Sequence, residues 1–313
     1  MESRKVLGFN YSVRTAVNDI EQWQATTFDL KTIDQESGWA EKIRYTSVRV
    51  FLSYTVWLDD PPGFRRRLGQ LLDTARRHGL NVMPVLLADG EYTGHVGPQP
   101  DPVPGVHNSR AVVAPGVDVA LDPQRWPPLK AFVRDVVSGF GDDDRIIAWD
   151  VYNEPGNSPA GEKVLPLVDA VFVWARGSRP IQPLTTGPWR AYDSPFSQRL
   201  IALSDVVTFH NYESPEKMKE AIHICSRGGR PILCTEWLRR QVGNTFSSIL
   251  PVFSEQQVGW YQWGLVAGRT QTYYHWGSKP GTPPPTIWQH DLLRPDGTPY
   301  DGGEVELLRK LSR

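Results

Sequence analysis

The stretch Ile146-Ile147-Ala148-Trp149-Asp150-Val151-Tyr152-Asn153-Glu154-Pro155 decides how the chain is read. An apolar run of strand type ends abruptly in an Asn-Glu pair and is stopped by proline. A second apolar run, Pro231-Ile232-Leu233-Cys234-Thr235, ends in the same way at Glu236. Each carboxylate therefore belongs at the C-terminal tip of a buried strand. Two such groups are what acid/base and nucleophilic chemistry on a glycosidic bond requires.

Outward from these runs, short apolar segments alternate with amphipathic ones from end to end, the pattern of repeated βα units. The spacing predicts eight strands, over Val6–Tyr11, Ser47–Leu52, Val82–Leu87, Ile146–Tyr152, Ile181–Thr185, Asp205–Asn211, Pro231–Glu236 and Val258–Leu265. Between them, Phe64, Leu68, Leu71, Leu72 and Ala75 share one helical face, as do Leu129, Phe132, Val133, Val136, Val137 and Phe140, and then Met218, Ala221, Ile222 and Cys225. Such a chain is expected to be α/β, a single (β/α)8 TIM barrel over residues 1–313. The usual barrel of about 250 residues leaves roughly 60 for extra loop. That surplus follows strands three and eight, in residues 88–118 with Gly97-Pro98-Gln99-Pro100-Asp101-Pro102-Val103-Pro104, and in residues 269–290 with Pro283-Pro284-Pro285. Proline neither donates to a ladder nor continues a helix, so both stretches are stiff loops. A doubly wound open sheet is the rival, but no glycine-rich phosphate loop follows any strand.

Composition narrows the partners. The 34 basic and 35 acidic residues leave a formal net charge of -1, which offers no footprint for nucleic acid or an anionic membrane. A neutral small molecule or oligosaccharide is expected instead. The two cysteines, Cys225 and Cys234, imply no disulfide framework. Met1-Glu2-Ser3-Arg4-Lys5 runs into a strand of about seven residues, too short for a secretory apolar region with its cleavage site. No later run reaches membrane-spanning length, and a cytoplasmic protein is expected.

In a barrel, polar residues at the C-terminal ends of strands converge on one mouth. They are Asn10 and Tyr11 from strand one, Arg49 from two, Asp89 beyond three, Asn153 and Glu154 from four, Trp189 after five, His210 and Tyr212 from six, Glu236 and Trp237 from seven, and Trp263 from eight. Gly8-Phe9-Asn10, Val48-Arg49-Val50, Asn153-Glu154-Pro155, His210-Asn211-Tyr212, Thr235-Glu236-Trp237 and Trp263-Gly264 occur in order on successive strands. This set resembles the clan A glycoside hydrolases, and most of all family 5, the group of cellulases, mannanases and related β-glycosidases.

The resemblance implies that Glu154 is the general acid/base and Glu236 the nucleophile of a retaining mechanism. It further implies that Asn153 binds the sugar 2-hydroxyl and that Trp263 is the platform beneath the reacting sugar. Asn10, Asp89, Trp189, His210, Tyr212 and Trp237 would complete the surroundings of the substrate. Independent chemistry agrees with this division. A nucleophile must stay ionised, which the Arg49 guanidinium would secure, and Tyr212 is able to donate a further hydrogen bond to Glu236. An acid must stay protonated, which burial or a neighbouring negative charge would secure for Glu154.

Among the 12 Trp, Trp57, Trp189, Trp237, Trp263, Trp276 and Trp288 stand just after strands or in the last long loop. There they are able to stack on sugar rings. Trp39, Trp126, Trp149 and Trp174 read as core, while Trp276 and Trp288 fit either role equally. No cofactor or metal is expected: His95 and His107, with Asp89, Glu91 and Asp101, match no ligand spacing.

The resulting expectation is a retaining β-glycosidase for neutral gluco-, manno- or xylo-type sugars, with exo action favoured by the long loops. The alternatives are an endo-β-1,4-glycanase with an open cleft and a catalytically idle sugar-binding barrel. One departure from the family pattern stands beside the nucleophile: Leu238-Arg239-Arg240, rather than glycine, follows Glu236-Trp237.

Overall fold

Three of the helices that follow strands begin with both a side-chain cap and a proline, which fix where the connection ends. Asp60-Pro61 opens the second helix, Asp60 Oδ1 accepting from the Gly63 N–H at 2.9 Å. Ser194-Pro195 and Ser214-Pro215 open two more in the same manner. The structure, a computed structural model, describes residues 6–311. The Met1–Lys5 segment, on which the expectation about a secretory leader rested, lies outside the described residues.

The strands are β1 (Leu7–Tyr11), β2 (Ser47–Phe51), β3 (Asn81–Val85), β4 (Trp149–Asp150), β5 (Leu184–Thr185), β6 (Val207–His210), β7 (Ile232–Trp237) and β8 (Gly259–Trp263). The helices that follow them in turn are α1 (Leu30–Ile43), α2 (Pro61–Arg77), α3 (Pro127–Gly139), α4 (Leu165–Gly177), α5 (Pro195–Leu203), α6 (Pro215–Cys225), α7 (Phe246–Gln256) and α8 (Gly302–Leu311). All strand pairs are parallel, in the order β5-β4-β3-β2-β1-β8-β7-β6, and the molecule is a (β/α)8 TIM barrel. The seam between β5 and β6 is bridged by Thr185 and Thr208, whose hydroxyls are 2.8 Å apart, and by the Asp205 N–H donating to Leu184 O at 2.8 Å. The fourth and fifth strands are shorter than the sequence predicts. Ile146 joins only as an isolated bridge to Val82, and Ile181 is 71% exposed, tied by its N–H to Gly141 O in the outer turn. No helix among the described residues is long and apolar enough to cross a membrane.

Inside the barrel, Val6, Met83, Ala148, Val206, Leu233 and Tyr261 form a separate apolar layer. Tyr261 fits because residue 8 is glycine: a Cβ there would run into its ring. Beyond this layer the interior becomes polar, with Asn10, Arg49, Asp150, Thr185, Thr208 and Thr235 buried around the axis. The register pairs Asn10 with Arg49 and with Trp263, and His210 with Glu236, which brings these residues to one height at the mouth.

Candidate active site

The centre of the polar layer is Arg49, which is fully buried. A guanidinium taken out of water needs every donor satisfied, and the neighbouring strands provide the acceptors. Its NH1 donates to Asn10 Oδ1 at 2.6 Å and to Glu236 Oε1 at 2.8 Å, while NH2 donates to Asp150 Oδ2 at 2.8 Å and to Asn153 Oδ1 at 2.5 Å. Arg49 thus orients three strand tips at once. Being shut off from solvent, it acts on the carboxylates and not on a sugar. Asn10 is equally committed, because its amide also donates to Thr235 O at 2.8 Å and Gln262 O at 3.1 Å. Asp150 was missed in the sequence. A charged residue inside an otherwise apolar strand was the available signal.

Glu236 is the last but one residue of β7, where the pairing with β6 and β8 slips its register. Its second oxygen accepts from Tyr212 OH at 2.9 Å and lies 3.5 Å from His210 Nδ1. The same nitrogen is 2.8 Å from Glu154 Oε1. One imidazole therefore sits between both glutamates, and Glu154, His210 and Glu236 present oxygen and nitrogen atoms within 4.8 Å of one another. This trio has the composition of a metal site, but the Arg49 guanidinium already bonds Glu236 and provides the local positive charge.

Glu154 reaches this position through a backbone φ of 47°, in the left-handed region that non-glycine residues rarely adopt. The turn that imposes it is anchored by Asp89, whose Oδ2 accepts from the Gly156 N–H at 2.7 Å, and by Asn157, whose amide donates to Glu154 Oε2 at 2.6 Å. Burial raises the Glu154 carboxyl to about 7, with Asp150 and Asp89 adding to the rise against the pull of Asn157 and Arg49. Burial also raises Glu236, opposed by His210 and Arg49. His210 is itself drawn down to about 4 by burial, so it is neutral at neutral pH and Arg49 is the cation that restrains Glu236. Tyr212 is pushed well above its ordinary value by burial and by the Glu236 charge, and stays a donor. At neutral pH this leaves one carboxyl able to carry a proton beside one held by an arginine.

Two cavities open from the glutamate pair. A narrow one of about 220 Å³ is lined by Asn10, Asp19, Asp89, Asn153, Thr272 and Asp291. A wide one of about 670 Å³ is lined by Trp189, Arg190, Tyr192, Tyr212, Lys217 and Trp276. Trp263, Glu154 and Glu236 face both. The glycine after Trp263 is required, since a Cβ at Gly264, φ 77°, would strike the Asp291 carboxylate.

Over the narrow cavity runs the long loop after β3. It crosses the ends of β2 and β1 and fastens to the loop after β8. The Asn108 N–H donates to Thr270 O at 2.8 Å, the Gly105 N–H to Gln271 Oε1 at 3.1 Å, the Gly281 N–H to Pro104 O at 2.9 Å, and Gln271 Nε2 to Val103 O at 2.8 Å. Asn18, beyond β1, donates to Gln99 Oε1 at 2.9 Å and to Arg110 O at 3.1 Å. The proline-rich segment is thus a strap across one side of the mouth.

Trp237 requires correction as a residue facing the substrate. It is fully buried and packs edge-on against Phe246, Phe253 and Trp260, on the face of β7 that meets α7. Successive side chains of a strand point to opposite faces, so the residue after Glu236 turns away from the mouth. Of the two aromatic residues left open by the sequence, Trp276 lines the wide cavity, whereas Trp288 is 8% exposed and packs on Tyr273 and Tyr300. Leu238, where glycine is usual in the resembled family, takes a φ of 91° while buried, its N–H donating to Asn244 Oδ1 at 2.9 Å.

No protein-family model matches the chain, and no curated protein matches it. Solved structures do resemble it. GH5_18 from Streptomyces cattleya, in complex with Manb1-4GlcNAc, superposes with a TM-score of 0.68 at 16% identity over 97% of this chain and 80% of that one. An exo-beta-1,4-mannosidase from Opitutaceae bacterium strain TAV5 gives 0.70 at 16% identity over 98% of this chain, which spans 59% of that protein. The hyperthermostable endo-1,4-beta-D-mannanase from Thermotoga petrophila RKU-1 gives 0.63 at 14% identity over 98% of this chain and 99% of that one. The (β/α)8 fold is shared with these solved glycoside hydrolases.

Proposed function

We propose that this chain is a retaining β-glycosidase that removes one neutral gluco-, manno- or xylo-type sugar from the end of an oligosaccharide or small glycoside. The observation that supports it most is the facing pair Glu154 and Glu236, with oxygens within 4.8 Å of each other. Direct attack by a carboxylate calls for a separation of about 5–5.5 Å, whereas an enzyme that inserts a water needs roughly 6.5–9.5 Å. In the first step Glu154, protonated up to about pH 7, gives its proton to the leaving oxygen while Glu236 attacks the anomeric carbon. A covalent glycosyl-enzyme forms and the aglycone departs. Loss of the Glu236 charge then lowers the proton affinity of Glu154, which takes a proton from water as that water displaces Glu236. Two inversions return the β anomer.

Exo action follows from the strap, which walls one side of the groove, and the wide cavity then receives the leaving group. Because the fold relatives include a mannosidase and a mannanase, β-mannosides head the panel of aryl glycosides to be tried. Proton NMR of the first product should show the β anomer. Glu236→Ala should lower kcat/KM by on the order of 10⁴-fold or more. Azide should rescue that variant with formation of the α-glycosyl azide. An initial α product, or undiminished hydrolysis by Glu236→Ala, would refute the assignment. Complete inactivity on the panel with sugar binding retained would favour the idle binding barrel.

A further inference from the structure

The two cavities share four lining residues: Glu154, Glu236, Trp263 and Asn108. The first three carry the proposed chemistry. Asn108 comes from the strap and has no part in it so far. Its backbone is left-handed, with φ 44°, and both its N–H and its carbonyl are used, the latter accepting from the Ala111 N–H at 3.1 Å. Asparagine is common in this conformation because its side chain usually bonds the local backbone. Here, among the described residues, the carboxamide bonds nothing, and glycine would meet the backbone requirement equally well. An amide with a donor and an acceptor unused, on a residue that lines both cavities, is available to a ligand.

Resting on the glycosidase reading above, we infer that Asn108 is a substrate-contacting residue that hydrogen-bonds hydroxyls of the sugar being released, delivered to the site by the strap. It would make the strap part of the binding surface as well as a wall. The contact is set by the Asn108 N–H bond to Thr270 O and by the Gln271 bonds to Gly105 and Val103, which hold the residue over the junction.

The discriminating variant is Asn108→Gly, which keeps the left-handed backbone and removes the amide. Asn108→Asp, which keeps shape but removes a donor, serves as the second. Binding of cellobiose, mannobiose and xylobiose would be measured by calorimetry, together with kcat and KM on the aryl glycosides and the thermal midpoint. The expected result is a roughly tenfold loss of sugar affinity and of kcat/KM for Asn108→Gly with an unchanged midpoint, and a smaller loss for Asn108→Asp. Binding and hydrolysis within twofold of the unaltered chain would overturn the inference, as would failure of the unaltered chain to bind any of the three sugars. Loss of binding in Asn108→Gly on a chain that hydrolyses nothing would uphold it while removing the glycosidase reading.

Discussion

The narrow and the wide cavity meet at the same two glutamates but are built from different material. Acidic groups gather around the narrow one, namely Asp19, Asp89, Asp291 and the two glutamates, and no Lys, Arg or His lines it among the described residues. The strap and the loop after β8 supply its walls. Around the wide one stand the flat faces of Trp189, Tyr192, Tyr212 and Trp276, with Arg190 stacked 4.2 Å from the Trp189 ring centre and Lys217 at the edge. Fixed acceptors suit one hydroxylated ring in one orientation, whereas aromatic faces accept many partners. On the glycosidase reading proposed above, the contrast assigns selectivity for the released sugar and tolerance for what it is released from to separate loops.

The contrast breaks most severely at Arg49, whose contacts run under the narrow side. Arg49→Met leaves Asp150 and Glu236 as buried carboxylates without the cation that neutralises them. Denaturant unfolding should then show a loss of about 3–5 kcal/mol. Any folded protein should have kcat reduced by at least about 10³-fold, because Glu236 loses its restraint. Stability within about 1 kcal/mol of the unaltered chain would mean that the polar layer is not held by this residue.

A medium effect concerns charge. Burial raises Asp19 and Asp291 from 3.8 to about 7, while among the described residues no buried acid belongs to the wide side alone. A carboxyl raised in the folded state contributes stability that is full below about pH 4 and is lost as pH climbs through about 7. Thermal midpoints should therefore fall between pH 5 and about 8 from this source. Asp291→Asn should flatten the fall by roughly 1.4 kcal/mol for each pH unit below about 7. An identical slope in the variant would show that Asp291 ionises freely.

The smallest expected effect is at the strap. Gln271→Ala removes the bonds to Gly105 and Val103. It should raise KM on short glycosides about two- to fivefold and speed amide exchange at Gly105, with the midpoint nearly unchanged. If KM does not move, the narrow cavity keeps its wall without this anchor.

How much was legible follows the same division. The barrel could be read because eight apolar runs at regular intervals leave few alternatives, and the strand-tip residues Asn153, Glu154, His210, Tyr212 and Glu236 come together because strand ends converge by geometry. The pleat alone sets Trp237 apart from Glu236, since neighbouring residues of a strand point to opposite faces. Asp150 was obscured by lying within a run read as hydrophobic. The strap was recognisable as stiff from Pro98, Pro100, Pro102 and Pro104, but where it fastens depends on pairings such as Asn108 with Thr270, which no local pattern encodes.

Leu238 carries a wider consequence. Just after β7 it holds, as a large buried residue, a backbone shape for which glycine is the ordinary solution, with Asn244 and the surrounding core keeping it there. A fold can thus preserve its architecture while exchanging the letter that advertises it. Likeness then shows in three-dimensional outline at 16% identity, where no family model matches the sequence.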